Sequence, residues 1–192
     1  MYELKKPVAL VGMMGSGKSA VGKAVSSALS VPFNDADDEI EHAARLSIPE
    51  IFERHGEKFF RDKENQVVTR LLKGPPSILA TGGGAFINRN IRSSIKNYGV
   101  SVWLNADIET LWNRVKHKKS RPLLRTKNPK ETLTNIYKDR LDIYSKAEIT
   151  INSHEKSSLE EMADLVIKSL LSRNYIIAVS YTHLRAHETS PH

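Results

Sequence analysis

Short, wholly apolar runs alternate with longer amphipathic stretches along this chain. Val8-Ala9-Leu10-Val11 has the length and uniform character of a strand covered on both faces, as in a parallel sheet. The same reasoning predicts strands at Pro32–Asn34, Ser77–Ala80, Val100–Leu104 and Ile149–Ile151. Between the runs the period changes. Val21, Ala24, Val25, Ala28 and Leu29 recur three and four apart and mark a helix that starts near Ser19. Further helices are predicted to start near Asp37, Ile48, Phe59, Arg89, Ile108 and Pro129. A last one starts near Ser157, with Ser157 and Glu160 as a capping box and Leu159, Met162, Ala163, Val166 and Leu170 as its inner face. Strands alternating with helices predict an α/β sandwich of three layers around a parallel sheet. No repeat and no interdomain linker interrupts the pattern. The expectation is one domain over residues 1–173. Residues 174–192 are expected to form a disordered tail, of which Tyr181–His192 need not be native.

Composition narrows the chemistry. The 192 residues suit a single core, and 40% hydrophobic with 27% charged residues is ordinary for a soluble protein. There is no cysteine, which excludes disulfides, thiolate metal sites and thiol nucleophiles. The seven histidines show no metal-ligand spacing. No apolar run approaches the ~20 residues of a membrane span. The first residues lead straight into a strand, so no signal peptide is expected and the location is expected to be cytoplasmic. The net charge of +7 suits an anionic ligand, either polyphosphate or nucleic acid.

The ligand choice turns on Gly12-Met13-Met14-Gly15-Ser16-Gly17-Lys18-Ser19, which fits the phosphate-loop pattern at every fixed position. It lies between a predicted strand and a predicted helix, the context the motif requires. Gly12, Gly15, Ser16, Gly17, Lys18, Ser19 and Ala20 are therefore candidate ATP-binding residues. Lys18 is placed to reach the β- and γ-phosphates and Ser19 to ligate Mg²⁺. Asp35 and Asp37 end the second strand. One suits water-mediated support of Mg²⁺, the other the orientation or deprotonation of a substrate hydroxyl. The alternative is that Asp35 caps a helix whose first turn carries the other acids. Arg61 and Glu64 share a helix face, as a surface ion pair or as an arginine held to bind an anion. Gly82, Gly83 and Gly84 follow the third strand, where a backbone passes close to a ligand. Between Arg114 and Lys130 stand eight Lys or Arg and no acid. Without interleaved aromatics, this run suits a lid over about residues 114–128 better than a nucleic-acid surface. Arg140 lies on the next helix, turned inward or solvated.

In order and spacing these motifs resemble shikimate kinase. The match runs from about Val8 to Leu171 and includes D-x-D at Asp35–Asp37, F-R-x-x-E at Phe60–Glu64, T-G-G-G at Thr81–Gly84 and R-P-L-L at Arg121–Leu124. The resemblance implies an adenylate-kinase-like, P-loop kinase fold with sheet order 2-3-1-4-5. It implies transfer of the ATP γ-phosphate to the 3-hydroxyl of shikimate with Mg²⁺, in the aromatic amino-acid pathway. It implies that Asp37 binds the shikimate hydroxyls and is the candidate base, and that Arg61 and Arg140 hold the carboxylate. Gly82, Gly83 and Gly84 would give backbone contacts. Arg121 would be the catalytic lid arginine, Arg114 would lie against adenine, Asn152 and Ser153 would border it, and Ser19 with Asp35 would hold the metal. A monomer without nucleic-acid or membrane partners is expected. One departure stands out: Asp142 replaces a proline usual near Arg140, and an acid there weakens carboxylate binding unless it faces solvent. The nearest alternative is another small-molecule kinase of this architecture, such as gluconate kinase.

Overall fold

The computed structural model describes residues 2–117, 122–124 and 126–179. Its strands are β1 (Tyr2–Leu4), β2 (Val8–Val11), β3 (Phe33–Asp35), β4 (Ile78–Ala80), β5 (Val100–Ala106), β6 (Ile149–Ser153) and β7 (Ile176–Ala178). Its helices are α1 (Lys18–Leu29), α2 (Ala36–Ala44), α3 (Ile48–Leu72), α4 (Arg89–Tyr98), α5 (Ile108–Val115), α6 (Pro129–Tyr144) and α7 (Leu159–Ser172). Short 3₁₀ turns form at Ala85–Ile87 and Pro122–Leu124.

All four residues of β2 are buried because β2 is the middle of a five-stranded sheet. The sheet runs β3-β4-β2-β5-β6 with every pair parallel, which is the 2-3-1-4-5 order when counting begins at β2. Val8 stands opposite Ile78 on one side and Val100 on the other. The strand's alternation divides the core. Val8 and Leu10 face a cluster with Val21 and Val25 of α1 and Met162, Val166 and Leu170 of α7. Ala9 and Val11 face a second cluster with Val68 of α3, Ile91 and Ile95 of α4, Leu111 of α5 and Tyr144 of α6. Helices therefore cover both faces of the sheet. No helix among the described residues is long and apolar enough to cross a membrane.

The two helices expected near Ile48 and Phe59 both form; they meet in a kink at Gly56, where φ 79° and ψ 175° leave the helical region, and α3 spans the pair. Three local expectations change. The capping box of α7 is Ser158 with Glu161, one residue later than expected, because the Ser157 hydroxyl accepts from the His154 N–H. Leu159 of the expected inner face is exposed; Met162, Ala163, Val166 and Leu170 are buried. The folded chain also does not stop at Arg173. Tyr175 donates its N–H to Leu170 and accepts from Lys5, and β7 then pairs antiparallel with β1, burying Ile176 against Leu4. A three-residue strand is too short to show a period in sequence, so it was hidden in the expected tail. Residues 180–192 lie outside the described residues.

Candidate active site

The phosphate loop leaves the end of β2 and enters α1 through backbone that other residues adopt only with strain. Gly12, Gly15 and Gly17 have φ of 141°, 81° and 91°. Space is tight as well: a Cβ on Gly12 would stand 2.7 Å from the Leu104 carbonyl, and one on Gly15 would stand 2.7 Å from Val115. Lys18, only 9% exposed, donates from Nζ to the carbonyls of Gly12 and Met13 at 2.9 Å each. The ammonium is thus held over the loop at the N-terminus of α1, where positive charge already gathers. The Ser16 hydroxyl is buried with no hydrogen-bond partner among the described residues, a polar group of the kind a phosphate oxygen satisfies.

Ser19 Oγ donates to Asp35 Oδ2 at 2.6 Å. Asp35 also caps α2, accepting the Asp37 N–H at 3.1 Å. The helix-cap expectation is met, and the same carboxylate stands beside the Ser19 hydroxyl at the end of the phosphate loop. The donors are oxygens, as a hard divalent cation requires. No group of three or more acids or histidines among the described residues forms a cage of its own. The set fits Mg²⁺ that brings phosphate and water ligands with it. Asp37 lies beyond, against Gly82. A Cβ on Gly82 would stand 3.0 Å from Asp37 Oδ1 and 3.0 Å from Glu64 Oε1, so glycine lets two carboxylates flank the chain here.

Glu64 is 1% exposed and accepts from Arg61 Nη1 at 2.9 Å. Burial pushes its carboxyl above the ordinary range, and the charges of Arg61 and Arg140 only partly offset this. Arg61 also reaches Glu57 at 3.4 Å. Burial works against the guanidinium charge, but its partners outweigh that and hold it above its usual value. The Arg61 guanidinium lies against Gly84, where a Cβ would stand 3.0 Å from Nη1. Arg140 turns inward and donates from Nη1 to the Gly83 carbonyl at 3.0 Å. The Tyr144 hydroxyl donates to the same oxygen. Burial raises the Tyr144 phenol above its usual value, which Arg140 beside it only partly offsets, so the hydroxyl keeps its proton and donates. Asp142 is exposed, which places the added acid away from the Arg140 guanidinium's bond to Gly83.

A cleft of about 440 Å³ runs from Lys18 and Ser19 past Asp35 and Asp37 to Gly82 and Gly83, with Gly15, Gly17 and Ala20 along one wall. Arg114, near the C-terminal end of α5, borders it and donates to the Gly15 carbonyl and to Ser153 Oγ, each at 3.3 Å. Ser153 thereby joins the phosphate-loop side. Asn152 does not line this cleft; its side-chain oxygen accepts from Asn105 at 3.0 Å. Arg121, with Lys118, Lys119 and Arg125 of the expected lid, lies outside the described residues. Leu124 of the same stretch is buried in the core beside Leu133. Sequence reasoning did not find Glu57, Asn105 or the bond from Tyr144. Glu57 precedes Arg61 by one helical turn, and Tyr144 follows Arg140 by one, so the spacing was a usable signal for both. Asn105 carried none.

A family model for shikimate kinase matches residues 14–171. A shikimate kinase of Ruegeria pomeroyi is 53% identical over 177 residues, 92% of this chain and 91% of its own. One of Cereibacter sphaeroides is 53% identical over 173 residues, 90% of this chain and 86% of its own. Among solved structures, the shikimate kinase from Acinetobacter baumannii in complex with shikimate aligns with a TM-score of 0.83 and 35% identity, over 88% of this chain and 94% of that one. A gluconokinase from Sinorhizobium meliloti aligns with a TM-score of 0.60 and 16% identity, a likeness of fold alone.

Proposed function

The chain belongs to the shikimate kinase family, and on that premise we propose how its residues transfer the γ-phosphoryl group of ATP to the 3-hydroxyl of shikimate. The observation that carries the reading is the convergence of Asp37, the Arg61–Glu64 pair and Arg140 on Gly82–Gly84, with Asp37, Gly82 and Gly83 lining the same cleft as Lys18. Shikimate offers a carboxylate and three hydroxyls. The two guanidiniums take the carboxylate, Asp37 takes the hydroxyls, and the bare glycine backbone allows the ring to approach closely. Asp37 orients the attacking hydroxyl and is the group placed to accept its proton.

On the phosphate-loop side of the cleft, the N–H groups of Gly15 to Ser19 cradle the polyphosphate. Lys18 exchanges its loop carbonyls for phosphate oxygens and neutralises charge that moves during transfer. Ser19 and, through water, Asp35 would hold Mg²⁺, which supplies further neutralisation on the phosphate oxygens. Arg114 and Ser153 border the nucleotide, with Asn152 at the same strand end. On this reading Arg121, in the basic run that follows α5, would supply charge to the phosphates, and that run serves ATP instead of nucleic acid. Both substrates are reached within one chain, which supports action as a monomer, and the same reading takes the enzyme to be cytoplasmic.

ADP release is measured with ATP and a panel of shikimate, gluconate and nucleoside monophosphates. Shikimate should support turnover at least about a hundredfold above the others, a difference near 2.7 kcal/mol. Equal or faster turnover with gluconate would overturn the reading.

A further inference from the structure

Phosphoryl transfer as assigned above leaves the Tyr144 hydroxyl unused. The residue is 1% exposed, and its ring lies between Trp103, 5.9 Å away and tilted by 17°, and Phe86, 6.3 Å away and nearly parallel. A phenol so deeply buried needs a partner. The partner is the Gly83 carbonyl, which also accepts from Arg140. Tyr144 follows Arg140 by one turn of α6, so the same helix face presents both donors to one oxygen. A carbonyl has two lone pairs, and here each meets a donor.

Gly83 has no side chain to fix its rotation, and glycine backbone turns freely. The peptide is planar and trans, so pinning the Gly83 oxygen toward α6 points the Gly84 N–H the opposite way. The guanidinium of Arg140 is seated by the same oxygen. We propose that Tyr144 is a positioning residue for the acceptor substrate: its hydroxyl anchors the Gly83 carbonyl and so sets both the Gly83–Gly84 peptide and the seat of Arg140. The proposal rests on the reading of Arg140 and Gly83 as shikimate-binding groups. It adds to that reading a buried group that touches no substrate.

Tyr144→Phe keeps the stacked ring and removes only the donor. In the full chain it should raise the shikimate KM about tenfold, the scale of one net hydrogen bond. The ATP KM should stay within about twofold and kcat within about threefold, because the phosphate side is untouched. On an Arg140→Lys background the same substitution should have less than half its logarithmic effect, since the two donors share one acceptor. Phe86→Leu is the complementary variant. It loosens the stack and keeps the hydroxyl, so it should lower Tm and leave the shikimate KM within about threefold. The proposal is overturned if Tyr144→Phe leaves the shikimate KM unchanged, shifts both KM values together, or fails to fold. It is also overturned if Phe86→Leu raises the shikimate KM as much as Tyr144→Phe does. Wild-type protein without shikimate-dependent turnover would sink the functional reading itself, and this inference with it; an active wild type beside an unaffected Tyr144→Phe sinks the inference alone.

Discussion

Arg61 presents a planar fork whose Nη1 bonds Glu64, whose Nε and Nη2 reach Glu57, and whose two terminal nitrogens lie against the Gly84 backbone. Lysine would keep the charge and lose the fork. Arg61→Lys should therefore raise the shikimate KM by about tenfold or more while the ATP KM moves little, read from initial rates with each substrate varied in turn. Glu64 adds a pH signature. Its carboxyl is held above the ordinary value of 4.5 by burial, so the folded state binds its proton more tightly than the unfolded chain does. That contribution favours folding below the unfolded value and is lost as pH rises through the higher folded one. Glu64→Gln abolishes it. The stability of wild type relative to Glu64→Gln should fall as pH rises above the ordinary carboxyl value of 4.5 and level off once the folded-state carboxyl has ionised, in urea unfolding across a pH series. The same variant should weaken shikimate binding, because Arg61 loses the bond that aims it. At this scale the charged residues were legible from their spacing, since a helix brings residues three or four apart together. The Tyr144 bond was not, since it joins α6 to a loop 61 positions away.

Helix α3 shows what an element adds. Its first half is fixed by the Ser47–Glu50 capping box and its second half carries Arg61 and Glu64; Gly56 joins them in a conformation that only glycine adopts without strain. A Cβ there would touch nothing within 4 Å, so the backbone and not crowding limits substitution. Gly56→Ala should cost about 1–3 kcal/mol in denaturant unfolding and raise the shikimate KM by swinging Arg61, with a smaller effect on ATP. An unchanged stability would show that the bend is free to straighten. The sequence announced two helix starts here because Pro49 and the apolar period restart the pattern on either side of the glycine. Both helices form, and what the sequence could not show is that a single residue, Gly56, separates them. The central strands were legible because full burial leaves an uninterrupted apolar run. β1 and β7 were not, because each buries a single side chain, Leu4 and Ile176. The order of the parallel sheet came from the motif set, since apolar runs alone do not say which strands are neighbours.

For the molecule as a whole, the β1–β7 ribbon ties the two flanks of the chain beneath α1 and α7. Removing residues 174–192 would delete Ile176, the Tyr175 backbone bonds and the pairing of β1. Burial of an Ile side chain alone is worth roughly 1.5–3 kcal/mol. With the lost pairing, a Tm drop of about 6–12 °C is expected by calorimetry, whereas removing only residues 180–192 should leave Tm unchanged. A truncation after Arg173 that melted like the full chain would show that the ribbon adds nothing. The ribbon has another consequence. Tyr2 and Ala178 stand directly opposite each other in an antiparallel pair, a separation that a two-residue Asn-Gly turn spans. Joined there and opened in the exposed turn at Gly74-Pro75, the same three layers would be strung in a new sequence order. That circularly permuted chain would begin at β4 and place the triple glycine before the phosphate loop. Every contact of the cleft would survive, although the left-to-right succession of motifs that first disclosed it would be gone.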